Sequence, residues 1–110
     1  MNKDILYLTH IREAIRNISN FTEGGKSEFI QSKLIQDAVI RNLEVIGEAT
    51  KKISKEVREN ESDIPWKEMA GLRDVLIHDY FGIDIYIVWN VVINELPGIE
   101  EKIDLILESL

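Results

Sequence analysis

"IDIYIVWNVVINEL", residues 83–96, is the stretch on which the fold turns. Ile83, Ile85, Ile87 and Val91 stand at alternating positions and are β-branched, and both features favour a strand. A lone strand leaves its backbone N–H and C=O groups unpaired, however, and no other segment of the chain reads as a partner for it. The stretch therefore reads as helix. It is apolar nearly all round, so it belongs at the centre of a bundle or against another subunit.

The rest of the chain agrees with a helical reading. After residue 96, Pro97 is expected to kink or restart the helix, and Ile99, Ile103, Ile106, Leu107 and Leu110 continue a last one. At the other end, Ile5, Leu8, Ile11, Ile15 and Ile18 recur at three- and four-residue steps, which predicts a helix from Lys3 to Phe21. Gly24 and Gly25 close it, because glycine tolerates the left-handed backbone of a tight turn. A second helical stretch starts at Ser27, with a break expected near Ser32, and aligns Ile35, Val39, Ile46, Ala49 and Ile53 on one face. Residues 54–63, "SKEVRENESD", are charged and aperiodic and read as a helix end followed by an exposed loop. Pro65 suits the first turn of the next helix, with Asp63 as its cap. The sum is an all-α fold, an antiparallel bundle of four to five helices.

The chain has 110 residues, enough for one core and too few for two, so residues 1–110 read as a single domain. It contains no cysteine, which excludes disulfides, thiolate metal sites and cysteine nucleophiles. No run is long and apolar enough for a membrane span or a signal segment, and the protein is expected to be soluble and cytoplasmic. A net charge of −7 disfavours loose adhesion to phosphate backbones, so any work on nucleic acid must be local.

One segment resists the plain-bundle reading. "GLRDVLIHDYFG", residues 71–82, carries Arg73, Asp74, His78 and Tyr80. With Trp66 at 0° on a helical wheel, Ile77 falls at about 20°, Arg73 at about −20° and Tyr80 at about −40°. Arg73 thus stands in the middle of the apolar stripe, where a guanidinium needs an anionic or hydrogen-bonding partner. A salt bridge to a nearby carboxylate is the ordinary explanation for one such arginine. His78 is about 140° further round, so the two meet only if the arginine extends or a symmetric partner brings a second copy across. Asp74 and His78 lie one turn apart, so the carboxylate can orient the imidazole and favour its charged form. Asn42 also falls inside an apolar arc. It serves either a core hydrogen-bond network or the same cleft as Arg73. His10, opposite the apolar stripe of its helix, receives no role.

An arginine and a histidine suffice for one reaction without metal or protein nucleophile. Histidine moves protons near neutral pH, and arginine holds a phosphate and stabilises its developing charge. Cleavage of RNA by its own 2′-hydroxyl asks for nothing more.

These residues also resemble a known family. "RDVLIHDY" has the form R-x4-H-x-Y of the HepT branch of the HEPN superfamily, and "QDAVIRNLEVIGEA", "IPWKEMAGLRD" and the "FTEG" turn are similar to segments of that family in the same order. The resemblance implies a HEPN-like helical bundle that forms a homodimer, with the motif near the interface. It implies a metal-independent endoribonuclease, the toxin of a toxin–antitoxin pair, which needs no cofactor. It further implies an MntA-like nucleotidyltransferase antitoxin that adenylylates the motif tyrosine. By position, Arg73 and His78 are the cleavage residues, Tyr80 is the modified residue and Asp74 supports the site, with Asn42, from the helical wheel, as a further candidate for support. An AMP on Tyr80 would place an anion beside Arg73 and block RNA. A second reading, a non-catalytic helical dimer that binds a nucleotide or docks a nucleotidyltransferase, is favoured by the acidic balance and the 140° offset. A purely structural dimer accounts for the apolar helix but leaves Arg73 without a reason.

Overall fold

The structure is a computed structural model that describes residues 3–78 and 83–110, the side chains of residues 73–78 excepted. Its described elements are all helical: α1 (Lys3–Phe21), α2 (Gly25–Gln31), α3 (Lys33–Lys51), α4 (Lys55–Asn60), α5 (Trp66–His78), α6 (Ile85–Asn90), a π-helical turn (Val91–Glu95) and α7 (Leu96–Ser109). Residues 85–96 are thus helix rather than strand, and Ile83 and Asp84 lie before the first turn. Because α6, the π turn and α7 run on without a gap, they form one interrupted helix, so the bundle is close to the expected four to five members.

The interruption has a local cause. Proline has no N–H to donate, and its ring collides with the carbonyl four residues back, here that of Ile93. The turn before it widens: the Leu96 N–H reaches back five residues to the Val91 carbonyl, the mark of a π turn. Pro97 then occupies the first turn of α7. The restart expected at Pro97 is present.

α1 and α3 pack antiparallel, as cross-helix bonds at both ends show. Asn17 Nδ2 donates to Asn42 Oδ1 at 3.2 Å, and at the opposite end Asp4 meets Ser54. α5 lies along the other flank of α3, and α7 lies on α1. Leu8, Ile11, Ile15 and Ile18 of α1, Val39, Leu43 and Ile46 of α3, Met69 of α5 and Ile99, Ile103 and Ile106 of α7 share one core. Ile5, placed on the α1 stripe by periodicity, is 43% exposed because the stripe runs past the end of its cover. Along the α1–α7 seam Arg16 pairs with Glu100 at 3.1 Å and Asp104 at 3.4 Å. These half-exposed pairs set register more than stability.

The helix ends follow the turn chemistry. Among the described residues Gly25 alone adopts positive φ, at 90°, in the turn that closes α1. Ser32 ends α2 and caps α3 by accepting from the Ile35 N–H at 3.1 Å, which is the expected break. The charged stretch 54–63 is not simply helix end and loop. Ser54 caps the six-residue α4, accepting from the Val57 N–H, and the periodicity of so short a helix with no buried residue was too weak to see. Asp63 turns its carboxylate to Lys102 of α7 at 3.5 Å, and the Pro65 carbonyl opens α5 by accepting from the Met69 N–H.

Asp4 is nearly buried, and its carboxylate accepts from the Ser54 N–H at 2.8 Å and from the Ser54 hydroxyl at 2.7 Å. It therefore fastens the N-terminus of α1 to the cap of α4. Asp4→Ala should cost about 2 kcal/mol, the range for charge-assisted bonds whose partner is left dry. Urea unfolding would read it, and a loss below about 0.5 kcal/mol would show that water replaces the carboxylate. Among the described residues, no helix is long and apolar enough to cross a membrane.

Candidate functional site

α5 continues through His78, so the spacing argued for the motif applies to a real helix. Trp66 and Met69, both buried, stand on either side of the angular position of Arg73, two turns and one turn before it. That position therefore prolongs the buried face of α5 toward its C-terminal end. Asp74 and His78 lie one turn apart on α5. Tyr80 lies outside the described residues.

The start of α5 is firmly held. Trp66 donates its indole N–H to the Glu61 carbonyl at 3.0 Å, and its own backbone N–H reaches the Ile64 carbonyl at 2.8 Å. These bonds fix the rotation of α5, and with it the direction in which the motif positions face. α3, packed along α5, supplies the rest of the frame.

Asn42 is half-buried on α3 and its amide is engaged twice. Its Nδ2 donates to the Ala38 carbonyl at 2.8 Å, and its Oδ1 accepts from Asn17 of α1. It thus ties α3 to α1, the core-network alternative weighed for it. His10 is exposed and sets its ring edge-on to Tyr7.

Where the chain resumes after the motif, a groove runs between α3 and the entry to α6. Lys33, Gln36, Asp37, Ile40, Glu44, Ile83 and Ile85 line it, and its volume is about 490 Å³. Around α3 the groove residues lie within about 60° of Lys33, whereas Asn42 stands about 180° away. Asn42 and the groove are on opposite sides of the helix. At the groove's outer end Asp84 caps α6 by accepting from the Tyr86 N–H at 2.9 Å. Tyr86 is 58% exposed, and the Lys26 ammonium of α2 sits 5.8 Å from its ring centroid.

Sequence reasoning passed over this pair. Tyr86 lies within a run that reads as apolar all round, and Lys26 is sixty residues earlier, in the first turn of α2. The one available signal was that tyrosine is the only hydroxyl-bearing member of the run, which suits it to a surface.

Comparison with known proteins agrees with the geometry. A family model described as "Ribonuclease HepT-like" matches residues 11–106. A Methanocaldococcus jannaschii protein named "Gamma-glutamylcyclotransferase and putative RNase" is 46% identical over 112 residues; the alignment covers all of this chain and half of that protein. The "Probable ribonuclease HepT" of Thermococcus cleftensis is 44% identical over 99 residues, covering 89% of this chain and 90% of the relative. Among solved structures, the tri-AMPylated HEPN toxin of Shewanella oneidensis in complex with its MNT antitoxin superposes with a TM-score of 0.71 at 27% identity, over the full length of both chains. The helical fold is HEPN-like, and the chain belongs to the ribonuclease HepT-like family.

Proposed function

We propose that this chain is one helical domain that acts as the ribonuclease toxin of a toxin–antitoxin pair, cleaving RNA at a site built on Arg73 and His78 without a metal. The observation that carries the reading is the R-x4-H-x-Y motif, whose Arg73 and His78 lie on α5, in a chain whose relatives are named ribonucleases. The RNA 2′-oxygen attacks the adjacent phosphorus, and the bond to the 5′-oxygen breaks. His78 transfers protons between these two oxygens, and Arg73 pairs with the phosphate as charge builds on it. Asp74 steadies His78 from one turn away, and Asn42 supports the site by locking α1 to α3.

The 140° between Arg73 and His78 on one helix is met most simply by two copies facing each other across an interface. Exposed Ile87 and Ile93, in the helix that follows the motif, suit such a homodimer. Antitoxin control fits the same site. The AMPylated Shewanella toxin is bound to an MNT antitoxin. In this chain Tyr80 is the acceptor: its phenolic oxygen attacks the α-phosphorus of ATP, pyrophosphate leaves, and the attached phosphate occupies the place of the RNA backbone beside Arg73.

Incubating unmodified protein with cellular RNA in excess chelator tests cleavage. Fragments ending in 2′,3′-cyclic phosphate are expected. Intact RNA from folded, unmodified protein would leave the non-catalytic nucleotide- or partner-binding dimer as the better account, which the acidic surface also suits. For control, Tyr80→Phe should remain an active nuclease that a nucleotidyltransferase partner with ATP no longer silences. Intact mass should show AMP on the wild type and none at position 80 of the variant. Full silencing of Tyr80→Phe would place control elsewhere.

A further inference from the structure

The pair formed by Lys26 and Tyr86 is not accounted for by folding. Tyr86 is more than half exposed, and the Lys26 ammonium stands 5.8 Å from its ring centroid. Its position is nevertheless built. One turn further along both helices, Phe29 of α2 is fully buried against Trp89 of α6, with ring centroids 5.2 Å apart. Lys26 precedes Phe29 by three residues and Tyr86 precedes Trp89 by three, so the buried aromatic contact fixes the exposed pair above it. Gln36 of α3 holds α2 in turn, donating to the Phe29 carbonyl at 2.9 Å and the Ile30 carbonyl at 3.0 Å. Asp84 caps α6 at its first turn, which sets the direction of Tyr86.

We infer that Tyr86 is a stacking platform for one base of single-stranded RNA, and that Lys26 receives a phosphate that flanks it. The inference rests on the ribonuclease reading, since it names how that site holds its substrate. An exposed aromatic ring with a cation beside it is a unit by which proteins hold single strands without reading their sequence. The groove beside it runs from the entry of α6 along α3, and a strand lying there passes Ile83. Eight peptide steps join His78 to Tyr86, a reach of at most roughly 29 Å, so one strand can span from the motif to the platform. The arrangement also answers the charge problem. The two carboxylates of the groove wall are paired, Asp37 with Lys33 at 3.4 Å and Glu44 with Arg41 at 3.5 Å, so a strand there meets a nearly neutral wall on a chain of net charge −7. Holding the substrate by stacking rather than by charge suits such a protein.

The test separates this inference from cleavage by measuring binding with a protein that does not cut. In a His78→Ala background, a short single-stranded RNA carrying one 2-aminopurine is titrated, and quenching of that base reports stacking. Adding Tyr86→Ala should weaken binding about 5- to 150-fold and abolish the quenching, the range lost with one base–aromatic stack. Tyr86→Phe should retain both, because the ring and not the hydroxyl is used. Tyr86→Leu should behave as the alanine variant does. The inference is overturned if Tyr86→Ala binds as tightly as its parent, if leucine substitutes for tyrosine, or if the parent shows no affinity for single strands. It is also overturned if Tyr86→Ala changes the molecular mass in solution, since the ring would then belong to a subunit interface. Failure of cleavage by wild-type protein, with binding and quenching intact, would remove the ribonuclease reading and leave the platform standing.

Discussion

His78→Ala should lose RNA cleavage by a factor on the order of 10² to 10⁴, the contribution of a positioned acid–base group, while keeping the wild-type fold. The stability half of the expectation comes from the helix itself. Alanine is a better helix former than histidine, so the exchange does not weaken α5, and the anchorage of α5 lies at its far end, in Trp66 and Ile64. The activity half comes from the chemistry. Without a proton carrier, the 2′-oxygen must attack as a poor nucleophile and the 5′-oxygen must leave as an unstabilised anion. Arg73→Ala should fall by a similar factor for a different reason, because the charge on the phosphate then builds without a partner. Arg73→Lys should recover only part of the loss, since an ammonium cannot offer the two parallel N–H donors of a guanidinium. The double variant should be scarcely worse than either single one, as groups that serve one transition state do not contribute additively. Initial rates on one RNA in chelator, beside circular dichroism and urea unfolding of each variant, check all four. A His78→Ala protein that folds and cuts at the wild-type rate would be falsified support for the whole site.

How much of this was legible in the sequence depended on how far each signal was local. The period of α1 is carried by its own residues, so its ends could be read directly, and the break at Ser32 and the restart at Pro97 follow from the chemistry of single residues. α4 was missed because six residues with nothing buried leave no period to detect. The run 83–96 was settled by elimination, and its local β-branched character was outweighed by the packing of Val88, Val92 and Leu96 into the core. Exposure of Tyr86, Ile87 and Ile93 was not visible, because a run apolar on every side does not say which side is covered. The motif stood out because Arg73 breaks a stripe. The Lys26–Tyr86 pair did not, because it exists only once α2 and α6 are side by side.

The largest loss of stability that links fold to site is expected at Phe29. α2 has only seven residues, too few to hold a helix alone in water, and Phe29 is its one buried side chain. Truncating it removes both the transfer free energy of the ring and the packing of Trp89 against it, and leaves a cavity that the short helix cannot close from one side. Phe29→Ala should therefore cost about 3 to 5 kcal/mol, a large part of the 5 to 15 kcal/mol available to a domain of this size. Phe29→Leu, which keeps much of the volume, should cost about 1 to 2 kcal/mol. Urea unfolding followed by fluorescence reads the change. Trp66→Phe as the background leaves Trp89 as the single reporter, and the native emission of Phe29→Ala should shift to the red as water reaches its ring. The loss should also be local before it is global. With Gln36 still bonded to the end of α2 but the aromatic anchor gone, amide exchange in α2 should rise well before that of α1 and α3, and the Lys26–Tyr86 pair should loosen with it. A cost below 1 kcal/mol, or exchange rising evenly through the bundle, would mean that α2 is held by its backbone bonds to Gln36 rather than by its one buried ring.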